Sequence, residues 1–269
     1  MSQSEPSPMT HCDTMLKETK TGLKGGIMAT YAVSDIHGCY DELMELVKII
    51  NFSDEDTLYV LGDCVDRGPK PVEVLAWMMN KPNVIPIAGN HENMMLRVLV
   101  PGLKEVSSEE AVEKTLTMDF ITDTNLWFWS ENGGKITSDA FRRLSAFDRE
   151  ALVEYVQEFS LYEEVTVNGQ RFVLVHTIGK NIHSLEDLEN ADLSSIEEFL
   201  YDRPDFEEDW DKGDDIFIIG HTPTWFLGKK DNCVFRNGNL LDIDCGCVMG
   251  GNLVAICLET MEEYYVKGH

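Results

Sequence analysis

Bases are scarce in this 269-residue chain: 22 lysines and arginines stand against 48 aspartates and glutamates, a formal net charge of −26. A phosphate backbone demands a positive footprint, so general nucleic-acid binding is excluded. An anionic substrate must be captured by local cationic groups against the overall field. No apolar run reaches the length of a membrane span, so no membrane partner is expected. No apolar h-region opens the chain, and a cytoplasmic location is the expectation. The cysteines, Cys12, Cys39, Cys64, Cys233, Cys245, Cys247 and Cys257, include no C-x-x-C pair. Their odd number reads as free thiols in a reducing compartment. Cys245-x-Cys247 lacks the second half of a zinc site, and buried strand cysteines are the reading.

What is present is an ordinary globular composition, 43% hydrophobic. Residues 1–27 are polar and without hydrophobic period, which predicts a disordered tail. One catalytic-domain-sized unit is expected over 28–269, with Met28 a candidate natural start and a helical insert at about 103–162. Ser107-x-x-Glu110 is a capping box candidate, and Asp148 reads as an N-cap. Asn168-Gly169 predicts a hairpin, and antiparallel strands are expected near the C-terminus. The stretch 186–215, with 14 acids and 2 bases, reads as a solvated face.

The chemistry gathers where apolar strands stop. Tyr31-Ala32-Val33 runs into Ser34-Asp35-Ile36-His37-Gly38. Leu58-Tyr59-Val60-Leu61 runs into Gly62-Asp63-Cys64-Val65-Asp66-Arg67-Gly68. Val84-Ile85-Pro86-Ile87 ends in Gly89-Asn90-His91-Glu92, with Pro86 at an edge or bulge. Phe172-Val173-Leu174-Val175 ends in His176, and Ile216-Phe217-Ile218-Ile219 ends in Gly220-His221-Thr222-Pro223. A charge cluster at a buried strand end is costly unless neutralised. Metal ions answer for the carboxylates and a phosphate for Arg67. In sheets with helical crossovers, ligands bind beyond the carboxyl ends of the strands. One such histidine is a weak signal, but five strand ends carrying Asp35/His37, Asp63, Asn90/His91, His176 and His221 imply one site. The donors are too many for one ion. Two divalent metals bridged by a carboxylate would use them, and the O/N mixture suits Mn²⁺, with Fe or Zn²⁺ as alternatives. Such a pair polarises a phosphoryl group and activates water, while arginines grip the oxygens. A general acid must protonate the leaving oxygen; His91, one residue past a ligand, is the candidate, with Asp66 orienting it.

These motifs, in this order and spacing, resemble the bacterial and phage branch of the phosphoprotein phosphatases, in the dinuclear metallophosphoesterase superfamily. The resemblance covers residues 28–258. It implies an α/β sandwich: two mixed β-sheets flanked by helices, with a dinuclear site at strand C-terminal ends. By that resemblance Asp35, His37 and Asp63 would hold the first metal, and Asp63, Asn90, His176 and His221 the second. Arg67 would bind phosphate, and His91 with Asp66 would be the acid. Tyr201-Asp202-Arg203 is similar to a W-x-R element, which makes Arg203 the second phosphate arginine. Asn132-Gly133-Gly134 and Asp244-Cys245-Gly246 also look like family features. Three positions depart from the pattern: Ser34 for glycine, Ala88 for arginine, and Thr177 for a smaller residue.

The implied activity is serine/threonine protein phosphatase, with in-line attack by a metal-bridging hydroxide and phosphorylated proteins or peptides as partners. The alternative is a symmetrical dinucleoside tetraphosphate hydrolase, which shares Asp35-Ile36-His37-Gly38-Cys39-Tyr40-Asp41-Glu42-Leu43. Asp66 and Glu92 favour the phosphatase over it. Pro223, where a second histidine would stand, argues against the cyclic-nucleotide phosphodiesterases and nucleases. A non-catalytic metal-binding scaffold ranks last, because His91 and both arginines are present.

Overall fold

The computed structural model describes residues 28–105, 124–190, 196–211, 213–229 and 231–269. The predicted tail and the Ser107 capping box lie outside them. The chain begins as a β-α-β-α-β run: β1 (Thr30–Val33), α1 (Tyr40–Ile49), β2 (Thr57–Leu61), α2 (Pro71–Met79) and β3 (Val84–Ile87). Next come α3 (Asn90–Glu105), α4 (Thr124–Trp129), a π-helical turn (Ser130–Gly134), α5 (Lys135–Phe141) and α6 (Ala146–Gln157). The second half is β4 (Tyr162–Val167), β5 (Gln170–Val175), α7 (Leu185–Asn190), α8 (Ile196–Tyr201) and β6 (Ile216–Ile219). A 3₁₀ turn (Thr224–Leu227), β7 (Phe235–Asn237), β8 (Leu240–Asp242), β9 (Asn252–Cys257) and β10 (Glu263–Lys267) complete it.

The strands form two five-stranded mixed sheets, ordered β10-β9-β1-β2-β3 and β4-β5-β6-β8-β7. β1, β2 and β3 are mutually parallel, as are β5, β6 and β8. Their carboxyl ends therefore emerge on a common side of each sheet. Alternation along each strand builds three apolar layers. Ala32, Leu61 and Ile256 meet Phe172, Leu174 and Ile218 between the sheets. Val33 and Val60 face outward onto Leu43, Leu75 and Leu152 of the helices. Val173 and Phe217 face outward onto Leu188 and Phe199. Each such fully buried side chain contributes about 1.5–3 kcal/mol, so the strand ends rest on a firm base.

Local signals act as expected at several places. Pro71 opens α2, and Asp41 and Glu42 occupy the first turn of α1, where the helix dipole favours them. Pro86 lies on β3, an edge strand, where a missing N–H costs no ladder bond. Asn168 and Gly169 take φ of 52° and 84° and close the β4–β5 hairpin.

Other expectations are corrected. β8 is parallel to β6, so the C-terminal strands are not all antiparallel. Ser145, not Asp148, caps α6: its Oγ accepts from the Asp148 N–H at 3.1 Å and donates to Asp148 Oδ2 at 2.8 Å. Cys39, Cys64, Cys245, Cys247 and Cys257 are free and buried, but Cys233 is disulfide-bonded, contrary to the all-thiol reading. Among the described residues no helix is long and apolar enough to cross a membrane.

Candidate metal centre and active site

Each strand end turns sharply. Asp35, His37, Asp63, Asp66, Arg67 and His221 all have φ between 45° and 70°. A non-glycine residue in this region costs on the order of 1–3 kcal/mol, and such residues cluster where function holds them. The β1 and β2 turns are zipped together: Asp35 N–H donates to Gly62 O, His37 N–H to Asp63 O, and Gly38 N–H to Cys64 O. Glu92 clamps the second turn from below. Its buried carboxylate accepts from the N–H groups of Asp63, Cys64 and Gly89 at 2.8–2.9 Å and of Val65 at 3.4 Å. Two glycines make this crowding possible. A Cβ on Gly89 would strike the Asp63 carboxylate, and one on Gly220 would strike Ser34 Oγ and the Asp35 carboxylate.

Asp63 stands at the middle with its two oxygens facing two groups of donors. Oδ2 lies 3.5 Å from His37 Nε2, and Oδ1 lies 3.5 Å from His176 Nε2. His176 Nε2 and His221 Nδ1 each lie 3.0 Å from Asn90 Oδ1, and 3.2 Å from one another. Asp35 joins from β1: its Oδ2 accepts from the His221 N–H at 3.0 Å and from Ser34 Oγ.

The outer nitrogens fix the tautomers. His37 Nδ1 donates to Val65 O and His176 Nδ1 to Leu61 O, each at 2.8 Å. Their Nε2 atoms therefore present lone pairs to the centre. His176 Nε2 and Asn90 Oδ1 are both acceptors, with no proton between them. Burial, then the charge of Asp35, then that of Glu92, push the Asp63 carboxyl well above its usual range. Burial, the neighbouring His91 and Arg67 hold His37 well below its usual range, and burial with His176 and Arg203 does the same to His221. Lone pairs aimed at one another and carboxylates crowded without counter-charge fit divalent cations. Two sets, His37/Asp63/His91 and Asp63/His176/His221, each bring three ligand atoms within 4.8 Å of one another, and they share Asp63.

His91 is built differently from the ligands. It is fully buried, and its Nδ1 lies 2.7 Å from Asp66 Oδ2. Trp129 Nε1 donates to the same oxygen at 2.8 Å, and Thr137 Oγ1 donates to Asp66 Oδ1 at 2.5 Å. Burial pushes the Asp66 carboxyl up to about 7, although the Thr137 and Trp129 bonds pull it down. Burial also holds His91 well below the usual imidazole range, helped by Arg67 and His176. Among the described residues His91 Nε2 has no hydrogen-bond partner, and it lies 3.8 Å from Asp63 Oδ2, at the inner edge of the centre. An imidazole fixed at one nitrogen and open at the other can exchange a proton with a ligand there.

Two arginines reach the centre. Arg67 Nη1 donates to the His37 Nε2 lone pair at 2.7 Å, and its backbone N–H donates to Gly133 O. Arg203 Nε donates to Thr222 Oγ1 at 3.1 Å, next to His221. Thr177, next to His176, donates to Asp202 O at 2.8 Å and fastens the Arg203 loop to β5.

Residues 28–267 match the calcineurin-like phosphoesterase family. The chain belongs to that family. Among curated relatives, the symmetrical bis(5'-nucleosyl)-tetraphosphatase of Actinobacillus pleuropneumoniae is 38% identical over 102 residues, 37% of this chain and 37% of that protein. The chain thus spans little more than a third of that relative's length. The asymmetrical bis(5'-nucleosyl)-tetraphosphatase PrpE of Halalkalibacterium halodurans is 26% identical over 259 residues, 86% of this chain and 90% of that protein. Among solved structures, a protein serine/threonine phosphatase from Saccharomyces cerevisiae shares the fold, with a TM-score of 0.52, 14% identity, and coverage of 90% of this chain and 80% of that one.

The structure thus gathers Asp35, His37, Asp63, Asn90, His91, His176 and His221, with Asp66 behind His91 and Arg67 and Arg203 at the rim. Three contributors were not legible as such in the sequence. Trp129 is a buried donor to Asp66. Thr137 had no motif at all. Glu92 served in the sequence reading only as a motif letter that favoured the phosphatase, and the structure shows it as a fully buried acid in the first turn of α3. The departures are absorbed locally: Ser34 Oγ also donates to Leu61 O at 3.1 Å, and Ala88 packs on the helix-side core.

Proposed function

We propose that this chain is a metal-dependent phosphohydrolase whose substrate is a dinucleoside tetraphosphate, cleaved unequally. The observation that carries this reading is the likeness to the asymmetrical tetraphosphatase, which runs over nearly the whole of both chains. The protein-phosphatase expectation, implied by the motif set and favoured by Asp66 and Glu92, is kept below as the second reading. Asp35, His37 and Asp63 would hold one divalent cation, and Asp63, Asn90, His176 and His221 the other. Mn²⁺ is the first candidate, because oxygen and imidazole donors without thiolate suit it. When bound, the cations neutralise phosphoryl oxygens and make water a nucleophile near neutral pH.

The chain's own residues do the rest. Arg67 and Arg203 grip the phosphate oxygens and hold the phosphorus for in-line attack. The oxygen of water bonds to phosphorus as the P–O bond to the leaving group breaks. His91, held at Nδ1 by Asp66, presents Nε2 to the departing oxygen and can deliver a proton there when the leaving group needs one. Attack at a phosphate bearing a nucleoside yields a nucleoside monophosphate and a nucleoside triphosphate.

A second reading, phosphoprotein phosphatase, is supported by the Asp66–His91 pair. A leaving alkoxide needs the acid that a leaving nucleotide phosphate does not. The test is turnover of diadenosine tetraphosphate and of a phosphothreonine peptide by Mn²⁺-loaded protein, with products separated by chromatography. Unequal nucleotide products and slow peptide turnover are expected. Equal diphosphate products would sink the unequal split, and peptide-only turnover would establish the second reading instead.

A further inference from the structure

An aromatic pair, exposed Phe128 and half-buried Tyr201, lies beside the centre, and neither the metal ligands nor the acid pair uses it. Phe128 is 42% exposed at the end of α4, and its neighbour Trp127 is 54% exposed. The Phe128 ring lies 6.5 Å from that of Tyr201, tilted by 47°. The Tyr201 ring is anchored at its hydroxyl, and the backbone around Phe128 is tied down. The Tyr201 hydroxyl lies 3.3 Å from Asn90 O and from Asn93 Oδ1, which pins the ring to the first turn of α3. Phe128 O accepts from Asn132 Nδ2 at 2.8 Å, and the next residue, Trp129, is tied to Asp66.

The position of the pair carries the argument. On one side, Gly133 O accepts the Arg67 N–H, so the turn after Phe128 is the seat of the first phosphate arginine. On the other side, Tyr201 stands two residues before Arg203. The two rings thus belong to the segments that seat Arg67 and carry Arg203. Isolated exposed aromatics are common on surfaces and need no explanation. An aromatic pair on the two segments that bear the candidate phosphate arginines suits a flat, π-faced group carrying phosphate. Stacking on such a face is tolerant of which base is presented.

We propose that Phe128 and Tyr201 form a stacking platform for one nucleobase of the dinucleoside polyphosphate. This rests on the dinucleotide reading given above. The phosphates anchor through charge and the base through the rings, so the platform governs affinity for the nucleoside and leaves affinity for bare phosphate alone.

The experiment is steady-state kinetics of the Mn²⁺-loaded full chain on diadenosine tetraphosphate, with inorganic phosphate as competitive inhibitor. Phe128→Ala and Phe128→Leu are expected to raise KM for the dinucleotide roughly tenfold, and Phe128→Trp to preserve it. The inhibition constant of phosphate is expected to stay within about twofold in all three, given an intact arginine grip. Leucine keeps the apolar surface and loses the π face, so it separates stacking from simple burial. A dinucleotide KM unchanged in Phe128→Ala overturns the platform, as does phosphate inhibition that weakens in parallel. If the wild-type protein turns over a phosphothreonine peptide and no dinucleotide, the substrate reading itself fails and the platform falls with it.

Discussion

Replacing His91 by asparagine tests whether this imidazole is an acid or a ligand. Its Nε2 lies 3.8 Å from Asp63 Oδ2, close enough to be counted among cation donors with His37. Its Nδ1 is bound to Asp66 at 2.7 Å, as an acid's would be. The two roles predict different dependence on the leaving group. A nucleotide phosphate leaves with a conjugate acid near pKa 6 and needs little help. An alkoxide leaves with a far higher pKa and needs its proton during bond breaking. General-acid catalysis is worth about 10²–10⁴. His91→Asn should therefore cost about 10³ in kcat on an alkyl phosphomonoester, or about 4 kcal/mol of barrier. On diadenosine tetraphosphate the loss should stay below about tenfold, since little proton transfer is demanded. Metal content by elemental analysis should be unchanged. A uniform loss on both substrates, or loss of a cation, would refute the acid assignment and make His91 a ligand.

Two further outcomes follow from the same geometry. Glu92→Ala strips four backbone N–H groups of their acceptor. At about 1–3 kcal/mol each, and with partial relaxation, a loss on the order of 5 kcal/mol is expected. That corresponds to roughly 10 °C in Tm by calorimetry, and a drop under about 3 °C would remove Glu92 as the organiser of the turn. The metal-free protein should also lose stability as pH rises. Burial pushes Asp63, Asp242 and Asp244 well above the carboxylate range, and Asp66 to about 7. The folded chain therefore keeps protons that the unfolded chain releases above about pH 4. Stability contributed by these groups is full below that pH and declines as pH climbs through 7. In a chelator, Tm should fall between pH 7 and 8, above the range in which the depressed His37, His91 and His221 add stability as pH rises, whereas saturating Mn²⁺ should cancel the fall. A chelated protein that gains Tm over that range would contradict this balance.

The strand ends were legible because apolar alternation stops abruptly at Asp35, Asp63, Asn90, His176 and His221. Parallel packing then brings those ends together without any long-range signal in the sequence. The support of the acid was not legible. Trp129 and Thr137 meet Asp66 across 63 and 71 residues, and neither carries a local motif. The direction of β8 was misread for a related reason. Its hairpin with β7 is local and visible, but its parallel pairing with β6 is set by the sheet. The cap of α6 went wrong by three residues because Ser145 and Asp148 bond each other and either could open a helix. The substrate proposed above rests on relatives and not on motif letters, since Asp66 and Glu92 serve the geometry of the centre whichever phosphate compound enters it.

The central claim is a pair of cations bridged by Asp63. Elemental analysis of the protein after Mn²⁺ loading and gel filtration tests it most directly, on the wild type, Asp63→Ala and His221→Ala together. The account predicts two ions per wild-type chain, one in His221→Ala and none in Asp63→Ala. A wild type holding one ion, or an Asp63→Ala variant that keeps one, would contradict the bridge.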